Sequence, residues 1–69
     1  MDAERGIIEI ASERARQENY NTDEYDISVT HESHEWAVRF QGKQPAPGNF
    51  FTILIDDKTK TVKDIFHGK

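Results

Sequence analysis

The sequence predicts an α+β domain, with an N-terminal helix packed on a four-stranded antiparallel meander sheet. That prediction rests on a proline-free opening segment with apolar residues at helical spacing, on two strictly alternating segments joined by a short polar turn, and on a late segment, residues 50–56, that is apolar on both faces and is followed by a charged turn and a last strand.

The helix is predicted from Asp2 to about Asn19. This stretch is rich in Ala, Glu, Arg and Gln, and its only glycine is Gly6. Ala3, Ile7, Ile10, Ala11 and Ala15 fall on one side, with Ile8 at the edge, and the small alanines suit a helix lying close against a sheet. Asp2 and Glu4 complement the positive end of the helix dipole. Residues 19–23 are turn formers and read as the helix exit and linker, with Tyr20 available to pack back.

Residues 25–30 and 36–41 each alternate strictly, and the polar stretch 32–35 between them favours a hairpin. The loop 42–49 carries both prolines and two glycines, which forbid regular pairing. Residues 50–56 form the next strand, residues 57–60 turn the chain, and residues 61–66 close the sheet. With alternation carried through, Tyr25, Ile27, Val29, Trp36, Val38, Phe40, Phe51, Ile53, Ile55 and Val62 face the helix. Ser28, Thr30, Ala37, Arg39, Thr52, Leu54, Lys63 and Ile65 face away, with Phe50 on the same side. A single helix covers one face only. Leu54, Ile65 and Phe50 then form an apolar patch ringed by polar groups, either an ordinary scatter of exposed apolar residues or a face that a partner or a second copy buries.

Length and charge bound the rest. The 69 residues make one domain, residues 1–69, and a chain of this size buries only about 60% of its unfolded surface. Without cysteine it has neither a disulfide framework nor a cysteine zinc site, so a homodimer is a reasonable expectation. Thirteen acidic against nine basic residues, a formal charge of −4, argue against nucleic acid as a partner. No apolar run approaches the ~18 residues of a membrane span, and the charged start has no secretory character, so a cytoplasmic protein with no membrane contact is expected.

Few residues suggest chemistry. His31 and His34, in the run His-Glu-Ser-His-Glu, are spaced to share a metal, but they fall at a hairpin tip and a third ligand is not identifiable, since His67 is distant in sequence. They read as solvated turn residues, and no metal or other cofactor is expected. Ser12, Ser28 and Ser33 lack the glycine-flanked elbow of hydrolases, and Asp56 and Asp57, adjacent at a strand end, read as charged turn residues. Arg39 and Lys63 could hold an anion but read as a solvated sheet surface. One helix and one small sheet also supply few walls for a reaction cleft, so no enzymatic activity is expected. Pro45 and Pro47 are candidate recognition residues, because rigid loops lose little entropy on docking; a plain connection is the alternative.

The run from Trp36 through Phe40, the Pro/Gly loop, the hairpin Ile53-Leu54-Ile55-Asp56-Asp57-Lys58-Thr59-Lys60-Thr61-Val62 and the ending Phe66-His67-Gly68-Lys69 resemble small immunity-type proteins of NTF2-like or cystatin-like fold. They are similar also to the PepSY module. The resemblance spans roughly residues 25–69 and implies a half-cystatin-like arrangement and a non-catalytic protein that binds another protein as an inhibitor or neutraliser. One departure is that Lys60 stands where those hairpins carry the turn glycine, which implies a different turn geometry here. Together these readings give a protein-binding module with Phe50, Leu54, Ile65, Arg39, Pro45 and Pro47 as candidate partner-binding residues. The alternative is a homodimeric structural or small-ligand-binding protein.

Overall fold

The computed structural model describes residues 3–43 and 49–67. One helix, α1 (Ala3–Gln17), is followed by a short 3-10 turn (Thr22–Glu24) and four strands: β1 (Tyr25–His31), β2 (Glu35–Gly42), β3 (Phe50–Asp56) and β4 (Val62–His67). The strands lie in the order β1-β2-β3-β4, all antiparallel, and α1 packs across one face of the sheet. This is the α+β meander expected. No helix among the described residues is long and apolar enough to cross a membrane.

The helix buries Ile7, Ala11 and Ala15 against the sheet, with Ile10 at the margin of the core. Two alanines in that line let the helix axis approach the strands closely. The helix ends where Asn19 takes a positive φ of 72°. The Asn19 N–H then donates to the Arg16 carbonyl at 3.0 Å and the Tyr20 N–H to the Ala15 carbonyl at 2.9 Å, which satisfies two carbonyls of the last helical turn. That turn aims Tyr20 back onto the sheet, where its ring stacks on Phe51 with centroids 4.0 Å apart.

The sheet's inner face carries the core. Trp36, Val38, Phe40, Phe51, Ile53 and Ile55 are all buried, and Phe40 and Phe51, opposite each other in register, stack at 4.6 Å. Each such side chain contributes about 1.5–3 kcal/mol before entropy is counted. Gly42, at the end of β2, lies close to Asn49: a Cβ there would displace the Asn49 carboxamide, while the Gly42 N–H donates to the Asn49 carbonyl at 2.8 Å and closes the ends of the loop.

The turn between β3 and β4 corrects one expectation. Lys60 adopts φ 59°, the left-handed conformation that glycine would take, so the lysine does not impose a different backbone at this position. The Asp56 carboxylate helps hold it there by accepting from the Lys58 and Thr59 N–H groups at 2.8 and 2.9 Å, and the Lys60 N–H donates to the Asp56 carbonyl at 2.9 Å. Lys60→Gly should therefore raise stability by about 1 kcal/mol, read as a higher urea midpoint at constant slope. A lower midpoint would show that the Lys60 side-chain contacts to Asp57 outweigh the backbone strain.

A second correction concerns β4. The β3–β4 register shifts between Leu54 and Ile55, so Leu54 pairs with Asp64 while Ile55 pairs with Val62. The extra residue, Lys63, makes a β-bulge, after which the alternation of β4 is inverted. Ile65 lies opposite Ile53 and packs against the core, not on the outer face, and Phe66 takes the outer position opposite Thr52. The physical reason is charge. Unbroken alternation from Val62 would turn Asp64 toward the apolar core, where an unpaired carboxylate is costly.

Candidate functional site

The outer face of the sheet is built from cross-strand rows. Asp26, Gln41 and Phe50 form one; Ser28, Arg39, Thr52 and Phe66 the next; Thr30, Ala37, Leu54 and Asp64 a third; Glu35 and Asp56 a fourth. No element among the described residues covers this face. Phe66 is 54% exposed, the most open large apolar side chain among them. Leu54 and Phe50 are half-buried by their neighbours, and the guanidinium of the exposed Arg39 lies over the Phe50 ring, 4.8 Å from its centroid. Arg39 also donates to Gln41 Oε1 at 3.3 Å.

Of the residues expected at a binding face, Phe50, Leu54 and Arg39 therefore lie together on the outer surface, and Ile65 does not. Pro45 and Pro47 lie outside the described residues. Phe66 was not among the expected residues. Its signal was present in the adjacent charges Lys63 and Asp64, which cannot both be accommodated by a strand with one apolar face.

The charge on this face is mostly negative, with Asp26, Glu35, Asp56 and Asp64 against Arg39 and Lys63. Lys63 Nζ bonds Glu35 Oε1 at 2.8 Å across the width of β3, and that contact holds the Lys63 ammonium above its ordinary value. The remaining carboxylates leave the face complementary to a basic surface, an effect that acts chiefly on association rate.

A second cluster lies at the end of the sheet where the β1–β2 and β3–β4 turns meet. His34, Asp56, Asp57 and Lys58 line a crevice of about 230 Å³. The Asp57 carboxylate is committed to its neighbours. Trp36 Nε1 donates to Asp57 Oδ1 at 2.7 Å, Lys60 Nζ reaches the same oxygen at 3.1 Å and also the Asp57 carbonyl, and His31 Nε2 stands 3.5 Å from that carboxylate. The His31 ring stacks on Trp36 at 3.9 Å, so this histidine is a lid on the core indole in addition to being a strand-end residue. No group of three or more His, Asp or Glu side chains among the described residues is arranged to hold a metal ion.

These bonds depress both turn carboxylates: Asp57 through the Trp36 hydrogen bond first and then Lys60, and Asp56 through the Thr59 and Lys58 N–H groups. A carboxylate depressed on folding contributes stability that is present above its unfolded value and is lost as pH falls through its folded value. Stability is accordingly expected to decline below about pH 4, and Asp57→Asn should flatten that decline. Denaturation midpoints across pH 2–6 check this; identical slopes for both proteins would exclude Asp57 from the acid transition. Lys63 works in the opposite sense, its contribution being complete below about pH 10 and lost above its raised folded value.

At the opposite end, Tyr20, Tyr25, Phe40 and Phe51 form an aromatic cluster, and the Tyr20 hydroxyl is hydrogen-bonded to His67 Nδ1 at 2.6 Å. Burial, with smaller contributions from Tyr25 and Glu18, raises the Tyr20 phenol. This cluster ties β4 to the helix exit.

A scan against protein-family models, a search of the curated proteins and a search of the solved structures each return no match for this chain.

Proposed function

We propose that this chain is a non-catalytic protein-binding module that offers the uncovered face of its sheet to another protein. The observation that carries this reading is the exposure of Phe66 beside Leu54 and Phe50 on a face with no covering element among the described residues. Large apolar side chains grouped on one side and rimmed by charge are the usual composition of a protein contact. Arg39 and the Phe50 ring supply the kind of anchor on which interface energy concentrates. The acidic rim favours a partner with a basic surface. The likeness of the last hairpin to that of immunity-type proteins supports a narrower version, in which the partner is a protein that this one inhibits or neutralises.

The test uses surface variants that leave the core intact. Immobilised wild-type protein and the variants Phe66→Glu and Leu54→Glu are challenged with native cell extract, and retained proteins are identified by mass spectrometry. A basic protein held by the wild type and lost from both variants, with unchanged circular dichroism, supports the proposal. Equal retention on all of them overturns the assignment to this face.

A further inference from the structure

We propose that the free edge of β1 is a self-association edge, at which a second copy of this chain adds its own β1 antiparallel to form one continuous sheet. The contact is made by the backbone edge of β1 and not by Phe50, Leu54 or Phe66, so the two proposals stand or fall separately.

The two edges of the sheet differ. β4 is guarded by its bulge and by the adjacent charges Lys63 and Asp64, devices that discourage another strand from pairing. β1 is less guarded: over Tyr25–His31 it carries no proline, no lysine and no register irregularity against β2, and Asp26 is its one acidic residue. No strand among the described residues flanks it on the other side.

Backbone direction follows from the flanking bonds. Lys43 N–H donates to the Glu24 carbonyl at 3.0 Å and Glu32 N–H to the Glu35 carbonyl at 2.8 Å. In an antiparallel ladder alternate residues exchange both bonds with the same neighbour, so Asp26, Ser28 and Thr30 point their backbone groups at β2. Ile27 and Val29 therefore direct theirs outward. On the helix side of the same edge Ile27 is 36% exposed, an apolar side chain at the sheet margin.

A two-fold axis through Ser28 sets β1 antiparallel to its copy. It sets Ile27 against Val29 of the second copy, Asp26 against Thr30, Tyr25 against His31, and Ser28 against its own twin. Ile27 and Val29 then exchange hydrogen bonds across the axis, while the Tyr25 N–H stays with the Thr22 carbonyl, and no like charges face within the strands. Glu24 meets Glu32 of the second copy just beyond the strand ends, a like-charge contact that opposes association and weakens as salt is added. Ile27 gains an apolar neighbour on the helix side. One strand pair with its flanks buries at most about 1,200 Å², the low end of specific interfaces, so the dimer is weak and concentration-dependent. It doubles the width of the outer face.

The register makes a sharp test possible, because the chain contains no cysteine. Twin residues at the axis form a non-hydrogen-bonded pair with Cα atoms about 4.5 Å apart, within disulfide range. Ser28→Cys should therefore oxidise to a covalent dimer on the order of tenfold faster than Thr30→Cys, whose twin lies well beyond disulfide range. In the unmodified protein, amide exchange at Ile27 and Val29 should slow as concentration rises, a readout that needs no variant to fold. Equal oxidation at both positions overturns the proposal. So does exchange at Ile27 and Val29 that is independent of concentration, or that slows only when another protein is added. Self-association abolished by Leu54→Glu with Ser28→Cys oxidation unaccelerated would place the dimer on the outer face instead.

Discussion

Replacing Phe51 by alanine should remove most of the domain's stability. Phe51 is 1% exposed and is the ring that joins the sheet to the helix exit: it stacks on Phe40 at 4.6 Å and on Tyr20 at 4.0 Å, and meets Tyr25 edge-on at 5.2 Å. Truncating a buried phenylalanine costs about 3–5 kcal/mol. A chain of this length has on the order of 3–10 kcal/mol in total. Urea unfolding followed by tryptophan fluorescence should show a midpoint near zero denaturant, or a population already unfolded in buffer. A loss under about 1 kcal/mol would mean that the aromatic cluster is not part of the cooperative core.

The second large effect separates two neighbouring residues. Ile65→Glu is expected to cost about 2–3 kcal/mol, because it places a carboxylate against Ile53 and the helix side of the core. Phe66→Glu is expected to change stability by no more than about 0.5 kcal/mol, since its side chain faces outward. Had alternation run unbroken through β4, the two results would be exchanged. Thermal denaturation of both variants decides between them, and a larger loss for Phe66→Glu would refute the bulge.

That contrast also shows where the sequence was legible. The helix, the four strands and their order could be read because α1 has a clean apolar stripe and because β1 and β2 alternate without interruption. The same alternation placed every large residue of β1, β2 and β3 on the side where it lies. β4 was misread for a local reason: a bulge is one extra residue, and one extra residue inverts every side chain after it. Lys60 was expected to alter its turn because left-handed backbone favours glycine, yet three hydrogen bonds around Asp56 hold the strained conformation. The 3-10 turn at Thr22–Glu24 was equally hidden, since its capping bond from Asp23 N–H to Asn21 Oδ1 follows from a single side chain and has no periodicity.

For the candidate face, Phe50, Leu54 and Arg39 were legible through period two alone. The role of His31 as a cover for Trp36 was not, because it depends on the register that sets the two residues opposite each other. Spacing in the sequence brought His31 and His34 together. The fold instead gives His31 to the indole and Asp57, and His34 to the crevice beside Asp56 and Lys58.

The strand order has a kinetic consequence. Each strand pairs only with its sequence neighbours, so the ladders can form from closely spaced contacts, without the slow search that distant pairing imposes. Helix docking and the Tyr20–His67 bond, which joins residues 47 apart, close the longest loops and are the natural last events. Weakening that bond should then leave the refolding rate nearly unchanged and accelerate unfolding, so the aromatic end of the molecule governs how long a folded copy survives.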